Sequence, residues 1–448
     1  MTSTDVTAGA SERHASIRIS GRRAPRHGQI AKAFRDAKNA LRGLHAHWKR
    51  RASRARFIAV TGSSGKTTTV SLLSHILSAD FQVRTLADRN SFDNAAQTLR
   101  RMSTKDQFVV LELATEGPGQ LERVTRLVKP DIAIVTLVAL EHHVAFRSVA
   151  AIAEEKAAIV RGLSPTGLAI LNADDANVRR MAAATSARTV LFGTSAADYN
   201  ATSLRTSPCG EFALAICHAN QRIELETHLI GAHNWLAVAA AVTCALEIGV
   251  SPQTIAGRVA TFQPFVRRLS LHRIPGGPTF LLDTAKAPYH SLKLPLETLR
   301  SISAVRKRFV LGQISDYAGN STAKYREVYR AARDVADEVI FVGATARKAC
   351  ASDGDVAQGK FRAFETVEAA SAYLKGTALA GEVILAKSSS NLHLERLLLD
   401  WDGAVRCWPN ECGNRASCFE CDRYRSPFSE HGGRPSRTTK RAGQHQIQ

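Results

Sequence analysis

The feature that most constrains this chain is a tight glycine turn between a short apolar run and a helical stretch. Phe57-Ile58-Ala59-Val60 reads as a buried strand, Gly62-Ser63-Ser64-Gly65 as a turn, and the residues from Lys66 to about Leu77 as a helix. A strand that feeds through glycines straight into a helix is the opening half of a parallel βαβ unit. The alternation then repeats. Buried strands are expected at Phe108–Leu113, Asp131–Leu137 and Gly167–Asn172, with helices around Gly119–Leu127 and Val149–Arg161. Short alternating runs within 186–230 suggest an antiparallel edge, and Ala237–Ile248 is an Ala-rich helix. From about Pro264 the pattern restarts, with strands expected at Thr279–Leu282, Arg308–Leu311, Glu338–Val342 and Glu382–Ala386. The expected fold is α/β: a parallel-sheet domain over 56–262 and a smaller α/β domain over 263–401. A basic tail precedes them over 1–55, and a cysteine-bearing tail follows over 402–448.

Composition narrows the class. Hydrophobic residues make up 44% of the 448 and charged residues 22%, the balance of a globular protein. No apolar run approaches the ~18 residues of a membrane span, and the N-terminus lacks the apolar core of a secretory signal. A cytoplasmic location is expected. The net charge of +20 sits mostly at the ends: residues 1–56 hold 14 Lys/Arg against 3 Asp/Glu. Between Gln29 and Arg51, Ile30, Phe34, Ala37, Leu41, Leu44 and Trp48 recur at spacings of three and four, an apolar stripe on an otherwise basic helix. Such a helix can dock on its own domain, rest peripherally on an anionic inner-membrane surface, or belong to a transit peptide. Basic tails also attract nucleic acid, but a solvated tail is the commoner outcome and no nucleic-acid partner is expected.

The glycine turn carries chemistry as well as shape. Gly62, Ser63, Ser64 and Gly65 let backbone N–H groups approach phosphates at a helix N-terminus. Lys66 is placed to neutralise the β- and γ-phosphates of ATP, with the Thr67 hydroxyl as a Mg²⁺ ligand and Thr68 beside it. Val60 stands where the usual P-loop has its first glycine.

The shorter Gly-Ser-Ser-Gly-Lys-Thr form, flanked by Thr61 and by Thr68-Thr69, resembles the ATP loop of the Mur ligases, and later segments resemble the same family in order. Val110-Leu111-Glu112-Leu113-Ala114 is similar to the Glu-Leu-Gly-Ala segment of the MurF type, which adds a D-alanyl-D-alanine dipeptide; the resemblance makes Glu112 a magnesium ligand. Glu141-His142-His143 places His142 on the second metal ligand, although Leu137 replaces the usual Asn and Arg147 a Gly. Ala153 to Ile159 resembles the helix whose lysine several members carboxylate, which implies a carbamate at Lys156. Leu171-Asn172-Ala173-Asp174-Asp175 and Gly231-Ala232-His233-Asn234 match two further landmarks, with Ala237 where relatives carry an adenine-contacting Asn. Arg268, Asp283 and Lys286, with Ser291, have the spacing of the family's C-terminal nucleotide residues, and Leu311-Gly312 and Lys387-Ser388 follow. The resemblance runs over roughly 56–400. It implies a central P-loop ATPase domain, a Rossmann-like C-terminal domain, and ATP-dependent joining of a carboxylate to an amine through an acyl phosphate. Lys66, Glu112, His142 and Lys156 would be the catalytic set, and Asn234, Arg268, Asp283 and Lys286 would contact the nucleotide.

Two regions fall outside that pattern. Only some 55 basic residues precede the ATP loop, whereas the MurF type begins with a domain of about a hundred residues that binds a UDP-sugar, so that module is not expected here. A small-molecule, lipid-linked or polymeric carboxylate, joined to an amine or amino acid in cell-wall or related synthesis, is the expected substrate pair. The competing reading is a nucleotide-binding regulatory or scaffold protein that no longer ligates, favoured by Leu137, Arg147 and Ala237. At the other end Cys407, Cys412, Cys418 and Cys421 fall within fifteen residues. Four thiolates so close could hold a structural Zn²⁺, although only the last pair has CxxC spacing; an iron–sulfur cluster, free thiols or a disulfide are the alternatives.

Overall fold

The computed structural model describes residues 43–88, 91–141, 145–414 and 416–431. Most of the basic N-terminal tail, including the first part of its helix, His142 and His143, and the end of the C-terminal tail lie outside the described residues.

Two mixed sheets carry the fold. The first has nine strands: β1 (Arg56–Thr61), β2 (Val83–Leu86), β3 (Phe108–Glu112), β4 (Ile132–Val135), β5 (Leu168–Asn172), β6 (Arg188–Gly193), β7 (Tyr199–Thr206), β8 (Glu211–His218) and β9 (Gln221–Ile230). Their spatial order is β2-β3-β1-β4-β5-β6-β7-β8-β9, with parallel pairing from β2 to β7 and antiparallel pairing along β7-β8-β9. The helices packed on this sheet include α1 (Lys66–Leu77), α2 (Phe92–Arg100), α3 (Gln120–Val128), α4 (Val149–Arg161), α5 (Trp235–Ile248) and α6 (Pro252–Thr261).

The central strands read as unbroken apolar runs because both faces are covered. Along β1, Ile58 and Val60 enter the core shared with α1, α5 and α6, while Phe57 and Ala59 enter the core shared with α2, α3 and α4. That is the period of two expected of a strand, with neither face left to solvent. The order reverses at β1, which lies between β3 and β4, so connections leave its C-terminal end in diverging directions. A doubly wound sheet opens its ligand crevice at such a point.

The second sheet has the order β10-β11-β15-β12-β13-β14. Its strands are β10 (Ser270–Arg273), β11 (Thr279–Asp283), β12 (Lys307–Leu311), β13 (Glu338–Val342), β14 (Phe361–Phe364) and β15 (Val383–Lys387), with β10 antiparallel to β11 and the remaining pairs parallel. Helices α7 (Lys293–Ser301), α8 (Ser321–Arg333) and α9 (Val367–Gly376) cover it. Leu281, Phe309 and Leu311 face one core and Phe280, Leu282 and Val310 the other, repeating the two-sided burial of the first sheet.

Strands β2, β10 and β14 and helices α2 and α6 were not expected from the sequence. Val83–Leu86 and Phe361–Phe364 are four-residue strands interrupted by arginine, and they pair at or near sheet edges. Short, half-exposed runs of this kind have too little apolar periodicity to stand out.

The described end of the basic helix, residues 43–52, rests on the first half of the molecule. Its contacts are not those of the apolar stripe. Ala46 is fully buried, and the Arg50 guanidinium donates to the Val128 and Lys129 carbonyls at 2.6 Å each while stacking 3.8 Å over the Phe57 ring. Those carbonyls end α3, where a cation meets the negative pole of the helix. Leu44 and Trp48 of the stripe stay 67% and 62% exposed. Among the described residues no helix is long and apolar enough to cross a membrane.

Candidate functional site

The turn after β1 is built by backbone geometry. Gly62 has φ +146°, and a Cβ there would stand 1.9 Å from the Thr136 hydroxyl oxygen; Gly65, with φ +80°, forms the N-terminal boundary of α1. Neither conformation suits a residue with a side chain. The loop is stitched to the segment after β4: Ser63 N–H donates to Leu137 O at 2.8 Å, the Thr136 hydroxyl donates to Ser64 O at 2.6 Å, and the Ser63 hydroxyl donates to Ala139 O at 3.0 Å. Asp175, from the predicted Asn-x-Asp-Asp turn, accepts the Val138 N–H at 2.7 Å and braces that segment from behind. Helix α1 starts without a side-chain cap and without an acidic residue in its first turn. The positive end of the helix is therefore left facing the crevice, as a phosphate-binding turn requires.

Side chains from three elements converge there. The Lys66 ammonium donates to Gly62 O at 2.5 Å, folded over its own turn. The Thr67 hydroxyl donates to Glu112 Oε2 at 2.8 Å, and Glu112, buried at the end of β3, also accepts the Asp88 N–H at 2.8 Å. On α4, Lys156 is fully buried and its ammonium contacts Glu141 Oε1 at 2.6 Å. Burial pushes that ammonium down to about 8; Glu141 opposes the shift and Lys66 adds to it. Its neighbour Glu155 turns the other way, accepting the Gly119 and Leu121 N–H groups at 2.7 and 2.8 Å at the start of α3.

The second sheet supplies the facing wall. Asp283, ending β11, accepts the Lys387 ammonium at 2.6 Å, and Lys387 also donates to the Lys286 carbonyl at 2.8 Å. The Lys286 side chain reaches over the cleft: desolvation lowers its ammonium, followed by the fields of Arg268 and Lys66, while Glu112 and Asp88 oppose. Arg268 contacts Asp88 at 2.6 Å, a bridge from one wall to the other. Desolvation holds His233 down at about 4, so it is neutral at pH 7, with Asp283 pulling it up and Lys387 pushing it down. Asn234 holds the entry to α5 instead, its amide donating to Ile230 O at 2.8 Å.

Together these residues border one cleft of about 980 Å³, with Lys66, Thr67 and Glu112 on one side and Asp283, Lys286 and Lys387 on the other. The structure thus gathers Gly65, Lys66, Thr67, Thr68, Glu112, Asn234, Arg268, Asp283 and Lys286 around the same space. Lys156 lies beneath it, reached through Glu141, which borders the cleft. Glu141, Lys387 and His233 border the same cleft and Asp88 adjoins it through Glu112 and Arg268, and none of the four is a site residue expected from the sequence. Glu141 adjoins the predicted His142, and Lys387 opens the Lys387-Ser388 landmark, so adjacency to a motif was the available signal. Asp88 had none.

The cysteines are the other chemically distinctive group. Cys407, Cys412, Cys418 and Cys421 are all unbridged, and the structure brings His393 and Glu395 to them: donor atoms of His393, Glu395 and Cys418 lie within 4.8 Å of one another.

Residues 60–245 match the Mur ligase middle domain, and residues 267–390 match the Mur ligase, glutamate ligase domain. The UDP-N-acetylmuramoyl-tripeptide--D-alanyl-D-alanine ligase of Haemophilus influenzae is 29% identical over 301 residues, covering 66% of this chain and 65% of its own. The Escherichia coli enzyme of the same name is 28% identical over 307 residues, covering 67% of each. The chain therefore spans about two thirds of the length of these curated relatives. A crystal structure of MurF from Acinetobacter baumannii superposes with a TM-score of 0.73 at 25% identity, covering 80% of this chain and 79% of that one. The aligned regions begin at the central domain and do not include a UDP-sugar-binding module. With both domain matches in order across most of the described chain, on the walls of one cleft, this protein belongs to the Mur ligase family.

Proposed function

We propose that the chain is an ATP-dependent acid–amine ligase that forms an amide bond through an acyl phosphate, in peptidoglycan-precursor or related peptide synthesis. The observation that carries this reading is the pairing of Thr67 with Glu112 at 2.8 Å beside Lys66, directly across the cleft from Asp283 and Lys286. Gly62, Ser63, Ser64 and Gly65 would act as a P-loop, turning N–H groups of the uncapped α1 terminus toward the phosphates. Lys66 would exchange its loop carbonyl for the β- and γ-phosphate oxygens. Thr67, Glu112, His142 and carbamylated Lys156 would hold magnesium, which supplies charge neutralisation for the transferring phosphoryl group. A lysine held near 8 keeps a fraction of neutral amine available for reaction with CO₂.

In this reading a substrate carboxylate oxygen attacks the γ-phosphorus, the bond to the β-phosphate oxygen breaks, and ADP leaves. The amine nitrogen then attacks the acyl carbon, the acyl C–O bond breaks, phosphate leaves, and the nitrogen releases a proton. The chain's own contribution is alignment and preorganised positive charge rather than covalent chemistry. Arg268, Asp283 and Lys286 would close on the nucleotide from the second sheet, with Asn234 at the base-binding end.

The proposed substrates are a small-molecule or lipid-linked carboxylate and an amine or amino acid. The exposed Leu44 and Trp48, on a helix with basic neighbours, favour work at an anionic membrane surface, which co-sedimentation with anionic vesicles tests. The cysteine cluster with His393 is read as a structural Zn²⁺ site.

Release of ADP and phosphate, measured with Mg²⁺, ATP and bicarbonate across a panel of acids and amines, tests the ligase reading. Turnover that requires both an acid and an amine supports it. ATP hydrolysis indifferent to both would overturn it, and tight nucleotide binding without turnover on any pair would favour a regulatory protein.

A further inference from the structure

The C-terminal segment is joined to the loop that borders the nucleotide cleft through a buried chain of donors. His393 follows the short 3-10 turn Ser390–Leu392 and takes a left-handed conformation, φ +52°. Its ring is buried, with Nε2 3.2 Å from Cys412 Sγ and Nδ1 3.2 Å from Glu395 Oε1. The same Glu395 oxygen accepts the Cys418 N–H at 3.0 Å, while Glu395 Oε2 accepts from the Thr284 hydroxyl at 3.3 Å. Thr284 directly follows Asp283, and Ser389, Ser390 and Asn391 border the cleft.

An imidazole with one nitrogen turned to thiols and the other held by a buried carboxylate is oriented and polarised as a metal ligand. Soft sulfur donors with one imidazole select Zn²⁺ over the hard cations. The segment carrying the thiols is already pinned in place. The buried Arg396 guanidinium donates to Cys407 O at 2.7 Å and Pro409 O at 2.8 Å, and also to Leu392 O at 3.1 Å on the cleft-side loop. The Cys407 thiol is itself buried on this pinned segment.

We propose that His393 Nε2, Cys412 and Cys418, with Cys407 or Cys421 as fourth donor, bind one Zn²⁺, and that this ion fixes the 388–395 loop so that zinc occupancy sets nucleotide affinity. The coupling rests on the zinc and nucleotide readings above and goes beyond both. It runs from the ion through His393 and Glu395 to Thr284 and so to the Asp283 end of the cleft. Glu395 is the positioning residue: Glu395→Gln is expected to weaken zinc about 10–100-fold, as loss of such an outer partner typically does.

The test uses the full chain as purified. Elemental analysis is expected to find one zinc per chain, and Co²⁺ exchange to give the visible absorption of tetrahedral thiolate ligation. His393→Ala is expected to lower zinc affinity and His393→Cys, which retains a donor, to preserve it. ADP binding is then measured by calorimetry in excess Mg²⁺, with zinc present, stripped, and restored. The expected result is several-fold weaker ADP binding in the stripped protein, recovered on adding zinc. Thr284→Val is expected to keep the zinc while shrinking that difference. Absence of stoichiometric zinc, with no cobalt spectrum, overturns the site and the coupling. Zinc bound with ADP affinity unchanged on its removal overturns the coupling and leaves the zinc reading intact. Zinc-loaded protein that binds no ADP removes the nucleotide reading, and the coupling with it.

Discussion

The two walls of the cleft are made in different ways. The wall at the end of β1 is a backbone device: the residues from Gly62 to Thr67 are contiguous, two of them are glycines at positive φ, and the helix they open has no side-chain cap. The wall on the second sheet is a side-chain device. Arg268, Asp283, Lys286 and Lys387 are scattered along the chain, and their geometry depends on one ion pair at 2.6 Å between the ends of β11 and β15. The backbone device tolerates almost no change in residue type at the glycines. The side-chain device depends instead on charges from separate parts of the chain meeting in space.

That contrast can be broken from either side. The largest effect is expected at Lys387, whose ammonium is almost wholly buried against Asp283. Lys387→Met strands a carboxylate and should lower stability by about 3–5 kcal/mol in denaturant unfolding. Asp283→Asn, by removing the stranded charge in the double variant, should recover part of that loss. On the other wall Lys66→Ala should leave the fold intact and reduce turnover about 10²–10³-fold, the scale of losing one preorganised donor to a charged transition state. An unchanged rate would end the phosphate-binding reading of the turn. Gly62→Ala should destabilise by about 1–3 kcal/mol through overpacking against Thr136, with further strain from its positive φ. A thermal melt checks it, and the double variant with Thr136→Ala should regain the part due to the clash.

A weaker effect concerns pH. Lys156 is held at about 8 in the fold against 10.5 as its ordinary value. Between these values the unfolded chain binds more protons than the folded one, so this group makes stability rise as pH climbs from about 8 toward 10.5. Below about 8 both states are protonated and the burial penalty is constant. The slope cannot exceed about 1.4 kcal/mol per pH unit for one proton. Lys156→Met should flatten the rise, and an unaltered pH profile in that variant would place the titration elsewhere. The smallest effect is expected at Arg268–Asp88, which is partly exposed on both sides. Arg268→Ala should change stability by less than about 1 kcal/mol, and any loss of nucleotide affinity should diminish as salt is raised.

The same contrast explains what could be read in advance. Helices Lys66–Leu77 and Val149–Arg161 and strand Glu338–Val342 fall where apolar spacing places them, and the other central strands differ from expectation by a residue or two at their ends. Strands buried on both faces must be apolar throughout, so they announce themselves. The Gly62–Thr67 turn was equally plain because its chemistry is local. Lys156 and Glu112 were reachable through the family resemblance, but their partners were not uniform in this respect. Thr67 lies 45 residues from Glu112, and Glu141 lies 15 from Lys156. Neither contact has a periodicity of its own.

From its sequence alone, this protein's α/β alternation, the glycine turn between strand and helix and the run of four nearby cysteines were determined, since each depends on residues near one another in the chain. The tertiary structure decided which carboxylate meets which cation. It turned Arg50 rather than the Leu44–Trp48 stripe toward the core, set Lys387 on Asp283, and carried His393 and Glu395 to the cysteines. Those are through-space pairings between charged or polar groups far apart in sequence. They are selected by how two sheets and a C-terminal segment pack, a property that no local run of residues encodes.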